Sequence, residues 1–121
     1  MPCEIEWRGN TVHWKFYGDV TADQIIDAYG SLYGASRFDD TRAQIRDYSL
    51  VESLSLSVEE VLKVAAFDKA AALSNPQMKV ALVTKDLDHS TLAALYDLEL
   101  EESAWNVGLF DCANEAAKWA A

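Results

Sequence analysis

The chain has 121 residues, of which 50% are hydrophobic and 25% charged, and its formal net charge at pH 7 is -10. This length and composition predict one domain, residues 1–121, with enough apolar side chains for its own core. The excess of carboxylates repels phosphate groups and anionic lipid, which excludes nucleic acid and a membrane surface as expected partners.

The two cysteines point to a reducing compartment. Cys3 and Cys112 lie far apart and form no CxxC pair, which is typical of free thiols. The N-terminus has no basic region followed by an apolar run, and no segment is long enough to cross a bilayer. We therefore expect a cytoplasmic protein without a membrane span.

Two alternating segments open the chain. Glu4–Arg8 and Thr11–Tyr17 have the period of two that is typical of strands, and Gly9-Asn10 between them is a two-residue hairpin signal. Such a turn pairs Arg8 with Thr11 and sets the register of the other pairs. The predicted pairs are Trp7 with Val12, Ile5 with Trp14, Glu6 with His13 and Glu4 with Lys15.

The middle of the chain predicts two helices and two strands. Thr21–Gln24 has capping-box spacing and begins a helix that ends near Gly34. Ala43–Tyr48 follows as a short strand. A second capping box at Ser57 begins a helix that stops at Asn75-Pro76. The apolar run Lys79–Thr84 is typical of a strand buried on both faces, and we expect it at the centre of the sheet.

The last third of the chain predicts a helix, a strand and a terminal helix. The helix runs from about Ser90 toward Glu101, the strand is Ala104–Phe110, and Asp111 caps the final helix. The order β-β-α-β-α-β-α-β-α predicts an α/β fold. In this fold a single mixed sheet has an N-terminal antiparallel hairpin, then βαβ crossovers, and is covered by about four helices.

This order of elements resembles the STAS-like, SpoIIAA-like family of bacterial anti-sigma-factor antagonists and their small relatives. The resemblance covers nearly the whole chain and implies a regulatory domain that binds a protein partner. Its local carriers are Phe16–Thr21, Gln44–Tyr48, Asn75-Pro76 before Val80–Val83, and Ala116–Trp119.

The resemblance also marks a serine at the start of the second helix. In the antagonists, a serine within an Asp-Ser-Ser-Gly turn there is phosphorylated by the partner kinase, and the matching position is Ser57. This chain has Ser55 in place of the acidic residue and Val58 in place of the glycine. The alternative is that Ser57 is only an N-cap, whose hydroxyl satisfies a free backbone amide.

Few residues suggest catalysis or metal binding. Asp86 and Asp88 follow a buried strand, as the paired aspartates of some phosphatases do, and a small metal-dependent hydrolase using them is the alternative function. His13 and His89 form no metal-binding spacing with other residues, and the chain has no glycine-rich phosphate loop. We therefore expect no cofactor, no metal and no enzyme activity.

Asp68 is an unusual residue for its position. It lies on the apolar side of the second predicted helix. A carboxylate there either pairs at the rim with a cation or a backbone amide, or lines a small apolar cavity or partner groove. Val64, Phe67 and Ala71 widen the apolar arc of this helix, which indicates contact with a second helix, a ligand or a subunit.

The sequence thus predicts a non-catalytic binding or regulatory module. It acts either on a protein partner that docks at a loop from Ser49 to Ser57, or on a small hydrophobic ligand in an apolar pocket beneath the helices. The candidate regulatory or partner surface consists of Ser55, Ser57 and Asp68. An open sheet edge and the tryptophan-rich composition are compatible with a homodimer.

Overall fold

The computed structural model of the protein describes residues 3–121, except for the side chains of Leu87 and Asp88. The strands and helices follow the predicted order, with one short 3₁₀ turn at Ser36–Asp40. In chain order the elements are β1 (Cys3–Arg8), β2 (Thr11–Thr21), α1 (Ala22–Tyr33), β3 (Ala43–Ser55), α2 (Val58–Ser74), β4 (Lys79–Val83), α3 (Leu87–Leu100), β5 (Asn106–Phe110) and α4 (Ala113–Ala120).

The strands form one mixed sheet in the order β1-β2-β3-β4-β5. β1 and β2 are antiparallel, and each later strand runs parallel to its neighbour. Arg8 pairs with Thr11, and the four other predicted hairpin pairs are all present. Gly9 has a φ of 60°, as the turn requires. The predicted fold class and hairpin register are confirmed.

The helices cover the two faces of the sheet unequally. α1, α2 and α3 pack on one face and enclose the larger core, whereas α4 packs on the other face against β3, β4 and β5. The alternation along β3 produces this division, because Ala43 and Ile45 point toward α4 while Gln44, Arg46 and Tyr48 point toward the three-helix layer.

The wide apolar arc of α2 is explained by its position in the middle of the three-helix layer. α2 packs against α1 on one side and α3 on the other. The ring of Phe67 lies 5.4 Å from the ring of Tyr33 on α1. The apolar arc therefore packs against neighbouring helices. This is one of the three alternatives from the sequence, the other two being a ligand and a subunit.

The predicted central strand and several predicted helix boundaries are wrong. The centre of the sheet is β3, and β4 is the next strand toward the edge. α3 begins at Leu87 rather than near Ser90, and the N-cap of α4 is Cys112 rather than Asp111. No helix in the described part of the chain combines the length and apolarity needed to cross a membrane.

The largest difference concerns β3, which continues through Ser55 where the sequence predicted a loop from Ser49. The extension pairs with the second half of β2, and two bulges each insert one extra residue into β3. Because of the bulges, every third residue packs toward the core, namely Tyr48, Val51 and Leu54. A search for apolar residues that alternate with a period of two therefore does not detect this part of the strand.

Candidate functional site

An apolar cavity of about 50 Å³ lies at the carboxyl ends of β3 and β4, beneath α2 and α3. In open parallel sheets, ligands bind at this end of the strands. Five lining side chains carry polar groups: Arg46, Tyr48, Thr84, His89 and Tyr96. Six of the apolar wall residues are Leu54, Leu56, Val61, Val64, Leu92 and Ala93.

The inner end of this cavity rests on a buried ion pair. Arg46 on β3 and Asp68 on α2 are 1% and 0% exposed, and Arg46 Nη1 donates to Asp68 Oδ2 over 2.7 Å. The hydroxyls of Tyr33 and Tyr96 each donate to this carboxylate over 2.5 Å. The ion pair therefore joins β3 to all three helices, because Tyr33 lies on α1 and Tyr96 on α3.

The remaining donors of Arg46 are satisfied within the core. Its Nε and Nη2 donate to Gln44 Oε1, which also accepts from Trp14 Nε1 over 3.1 Å. The guanidinium lies 3.8 Å from the centre of the Tyr29 ring, a cation–π distance. The Tyr29 hydroxyl is 2.6 Å from that of Tyr48, which lines the cavity. The polar groups thus form one continuous network.

Burial and charge shift the pKa values of this network in defined directions. Burial raises the pKa of the Tyr29, Tyr33 and Tyr96 phenols, and it raises that of Tyr48 to about 12. Burial also disfavours the charged guanidinium, but Asp68 and the neighbouring tyrosines outweigh this effect and raise the pKa of Arg46. The arginine therefore stays charged and the phenols stay neutral at physiological pH.

The three predicted surface residues do not form one site. Asp68 is buried against Arg46, and its partners Arg46 and Tyr96 reach the cavity wall. Ser55 and Ser57 are exposed at the end of β3 and the start of α2. Ser57 lies about 16 Å from Asp68 along the α2 axis.

Ser57 is the N-cap of α2. Its Oγ accepts from the Glu60 amide over 3.1 Å, while the Glu60 carboxylate accepts from the Ser57 amide over 3.0 Å. This is the capping box that the sequence predicts. The serine therefore has a structural role in addition to any regulatory one.

The residues proposed for hydrolysis have ordinary surroundings where they are described. Asp86 Oδ1 accepts from the His89 amide over 3.3 Å, as an N-cap of α3 does. The Asp88 side chain lies outside the described residues. In the described part of the chain, no three His, Cys, Asp or Glu residues are placed to hold a metal ion. These observations provide no support for the hydrolase.

Sequence reasoning identified Asp68 and missed the other members of the network, among them Tyr33, Gln44, Arg46 and Tyr96. A signal for two of them was present, because Gln44 and Arg46 alternate with apolar residues and so face the core side of a strand. A buried arginine needs an anion, and Asp68 was the one carboxylate already noted on an apolar helix face.

The fold resembles two solved structures. One is an uncharacterised protein of the DUF3478 family with a SpoIIAA-like fold from Shewanella loihica PV-4, with 15% identity, a TM-score of 0.55, and 98% of this chain and 92% of that chain covered. The other is the unphosphorylated form of the anti-sigma factor antagonist SpoIIAA, with 9% identity, a TM-score of 0.63, and 96% and 94% covered. No family model matches the sequence, and no curated protein matches it significantly. The chain has a SpoIIAA-like fold, and the expected resemblance is confirmed.

Proposed function

We propose that this SpoIIAA-like chain is a single-domain, non-catalytic binding module that recognises a protein partner at the carboxyl ends of β3 and β4. The observation that supports this proposal is the apolar cavity lined by Leu54 and Leu56, directly beside the extension of β3. This extension forms most of the Ser49 to Ser57 segment that the sequence assigned to partner docking.

The size of the cavity favours a side chain over a free ligand. Pockets for small molecules usually enclose about 300–1,000 Å³. A volume of about 50 Å³ fits about one aliphatic side chain. The polar groups at its inner end are already paired with each other, so they offer little to an additional polar group. A small hydrophobic ligand is therefore the less favoured occupant.

Two neighbouring alanines on α3 allow a matched test of the site. Ala93 lines the cavity and is 8% exposed, whereas Ala94 is exposed on the next position of the helix. We expect Ala93→Leu to fill the cavity and weaken partner capture about tenfold or more, since it removes the space for one buried side chain. Ala94→Leu should leave capture unchanged.

Affinity purification from the source cells, followed by quantitative mass spectrometry, measures this difference. Native mass spectrometry of the purified protein identifies the competing occupant. A retained hydrophobic small molecule that Ala93→Leu displaces would replace the protein-partner proposal by the ligand one. Equal capture by the wild type and both variants would show that the partner binds at another surface and does not use this cavity.

Phosphorylation of Ser57 is the proposed regulation. A phosphate at this exposed position would lie beside Leu56 and the docking surface, at a helix N-terminus that attracts anions. Ser57→Asp retains an N-cap while adding charge, whereas Ser57→Ala loses the cap and about 1 kcal/mol of stability. If the charge regulates docking, then Ser57→Asp changes partner affinity in a binding assay and Ser57→Ala does not.

A further inference from the structure

The extension of β3 has a free edge. The β3–β4 ladder ends where Asp47 pairs with Val83, while β3 itself continues to Ser55 and pairs there with β2. A strand that is paired on one side directs alternate N–H and C=O groups to the other side. At the two ends of this segment the Ser49 amide donates to Asp47 Oδ1 and the Leu54 carbonyl accepts from the Leu56 amide, so a guest strand would meet the backbone groups between them. Leu54 belongs to this extension and lines the cavity, so the free edge and the cavity are adjacent.

This combination matches one known mode of peptide recognition. In strand addition, backbone hydrogen bonds to a free edge provide affinity, and a pocket beside the edge selects alternate side chains of the guest. The cavity has room for one apolar side chain and lies next to the edge. An extended guest could therefore fill both at once, which a helix or a free small molecule could not.

The charges around this edge are mostly negative. Five described carboxylates lie on residues 47–60 and 84–86, the two segments next to this edge, while Lys85 is the one lysine of those segments. The charge of Glu52 on this segment discourages pairing with apolar strands. A second copy of the chain would bring the same carboxylates together. The five carboxylates are those of Asp47, Glu52, Glu59, Glu60 and Asp86.

From these observations we infer that the partner segment is an extended peptide with lysine or arginine near one central aliphatic residue. It adds a strand to the free edge of β3 and places its aliphatic side chain in the cavity. This inference rests on the proposed function and specifies the chemistry of the partner. Charge complementarity gives the guest its orientation and a faster association rate.

A designed peptide tests the inference without knowledge of the natural partner. The probe has about seven residues, with alternating Lys and Thr around a central Leu. In an NMR titration of the intact protein, we expect amide shifts along Ser49–Leu56 and methyl shifts at Leu92. Replacing the central Leu by Ala should weaken binding roughly 10- to 100-fold, the range for loss of a buried leucine side chain.

Three controls separate the parts of the inference. A peptide N-methylated at alternate backbone nitrogens keeps every side chain but loses donors, and it should bind at least about tenfold more weakly. Replacing its Lys by Glu should abolish binding at low salt. On the protein, Ser57→Asp should tighten binding of the Lys peptide, and Ala93→Leu should weaken it while Ala94→Leu does not.

The possible failures are distinct. Methyl shifts at Leu92 without amide shifts along β3, together with indifference to N-methylation, would retain the cavity as a binding site and overturn strand addition. Equal binding of Lys and Glu peptides would overturn the basic partner. No shift with any peptide would overturn the inference, whereas partner capture by Ala93→Leu tests the proposed function independently.

Discussion

Arg46 and Asp68 show how two charged residues can occupy the middle of an apolar core. Desolvating two charges is costly, and their mutual attraction compensates only when the geometry is good and the other polar groups are satisfied. Here Tyr33, Tyr96 and Gln44 supply the additional hydrogen bonds. The network positions three helices relative to β3, and so it sets the inner end of the cavity.

Removal of one partner should be far more damaging than removal of both. We expect Asp68→Leu to lower the free energy of unfolding by about 3–5 kcal/mol, because it leaves the guanidinium buried without its anion. The double variant Arg46→Met with Asp68→Leu should recover most of this loss. Urea unfolding monitored by circular dichroism measures both, and a single variant within about 1 kcal/mol of wild type would contradict the prediction.

The tyrosines predict a dependence of stability on alkaline pH. The folded state raises the phenol pKa of Tyr29, Tyr33, Tyr48 and Tyr96 above the value of about 10 expected in the unfolded chain. The folded state therefore holds these protons more tightly. Their stabilising contribution is complete below about pH 10 and is lost as pH rises through the raised values.

The measurement is a titration of phenolate absorbance alongside circular dichroism. We expect most phenolate to form together with unfolding, since four of the five tyrosines resist ionisation while folded. Smooth ionisation of all five tyrosines near pH 10, with the circular dichroism signal unchanged, would show that these phenols are accessible to solvent in the folded protein.

Among the elements, β2 and β3 have the most irregular geometry. Two bulges bend their paired second halves, and Gly18 has a φ of 68° within β2, at the second of these irregularities. No atom lies within 4 Å of a Cβ built at Gly18, so the backbone conformation and not space requires glycine there. This irregular pairing carries β3 past the end of β4 and creates the free edge.

Two glycine substitutions should have opposite effects on stability. Gly18→Ala places a side chain at positive φ and should cost about 1–2 kcal/mol. Gly30→Ala lies in α1, where the new Cβ would meet Phe67 Cζ at an ordinary 3.5 Å, and should stabilise by about 0.5–1 kcal/mol through helix propensity. The midpoints of urea unfolding measure both effects. A Gly18→Ala variant as stable as the wild type would contradict the positive φ of Gly18 in β2.

At the scale of the whole molecule, charge is the dominant property. The chain has 20 acidic and 10 basic residues. The ion pairs recorded on the described surface are few, joining Arg8 to Glu6, Lys69 to Glu99 and Glu102, and Lys118 to Glu115. Exposed pairs of this kind contribute little. Repulsion between unpaired carboxylates therefore outweighs them.

Salt should accordingly stabilise the protein. Raising NaCl from about 10 to about 150 mM shortens the screening length from about 30 to about 8 Å and weakens the repulsion. We expect the melting temperature at pH 7 to rise by a few degrees in differential scanning fluorimetry. Sucrose at equal osmolality controls for non-ionic effects, and a fall in melting temperature with salt would mean that attractive pairs dominate.

The sequence alone determined features that depend on near neighbours. The hairpin register follows from Gly9-Asn10 and the alternation on either side of it, and the starts of α1 and α2 follow from capping boxes in which Thr21 and Ser57 bond to residues three positions away. The order of elements was sufficient to predict the SpoIIAA-like fold. The hairpin and the helix caps depend on residues a few positions apart in the chain. The fold prediction depends on the order of the elements that such local patterns mark.

The tertiary structure decided the features that join distant residues. The extension of β3 depends on bulges formed against β2, which replace the period of two by a spacing of three, so no local pattern marks it. Arg46 and Asp68 are 22 residues apart and meet only after α2 packs across β3. The cavity and the free edge arise because β4 ends before β3 does, and the relative length of paired strands is a property of the assembled sheet.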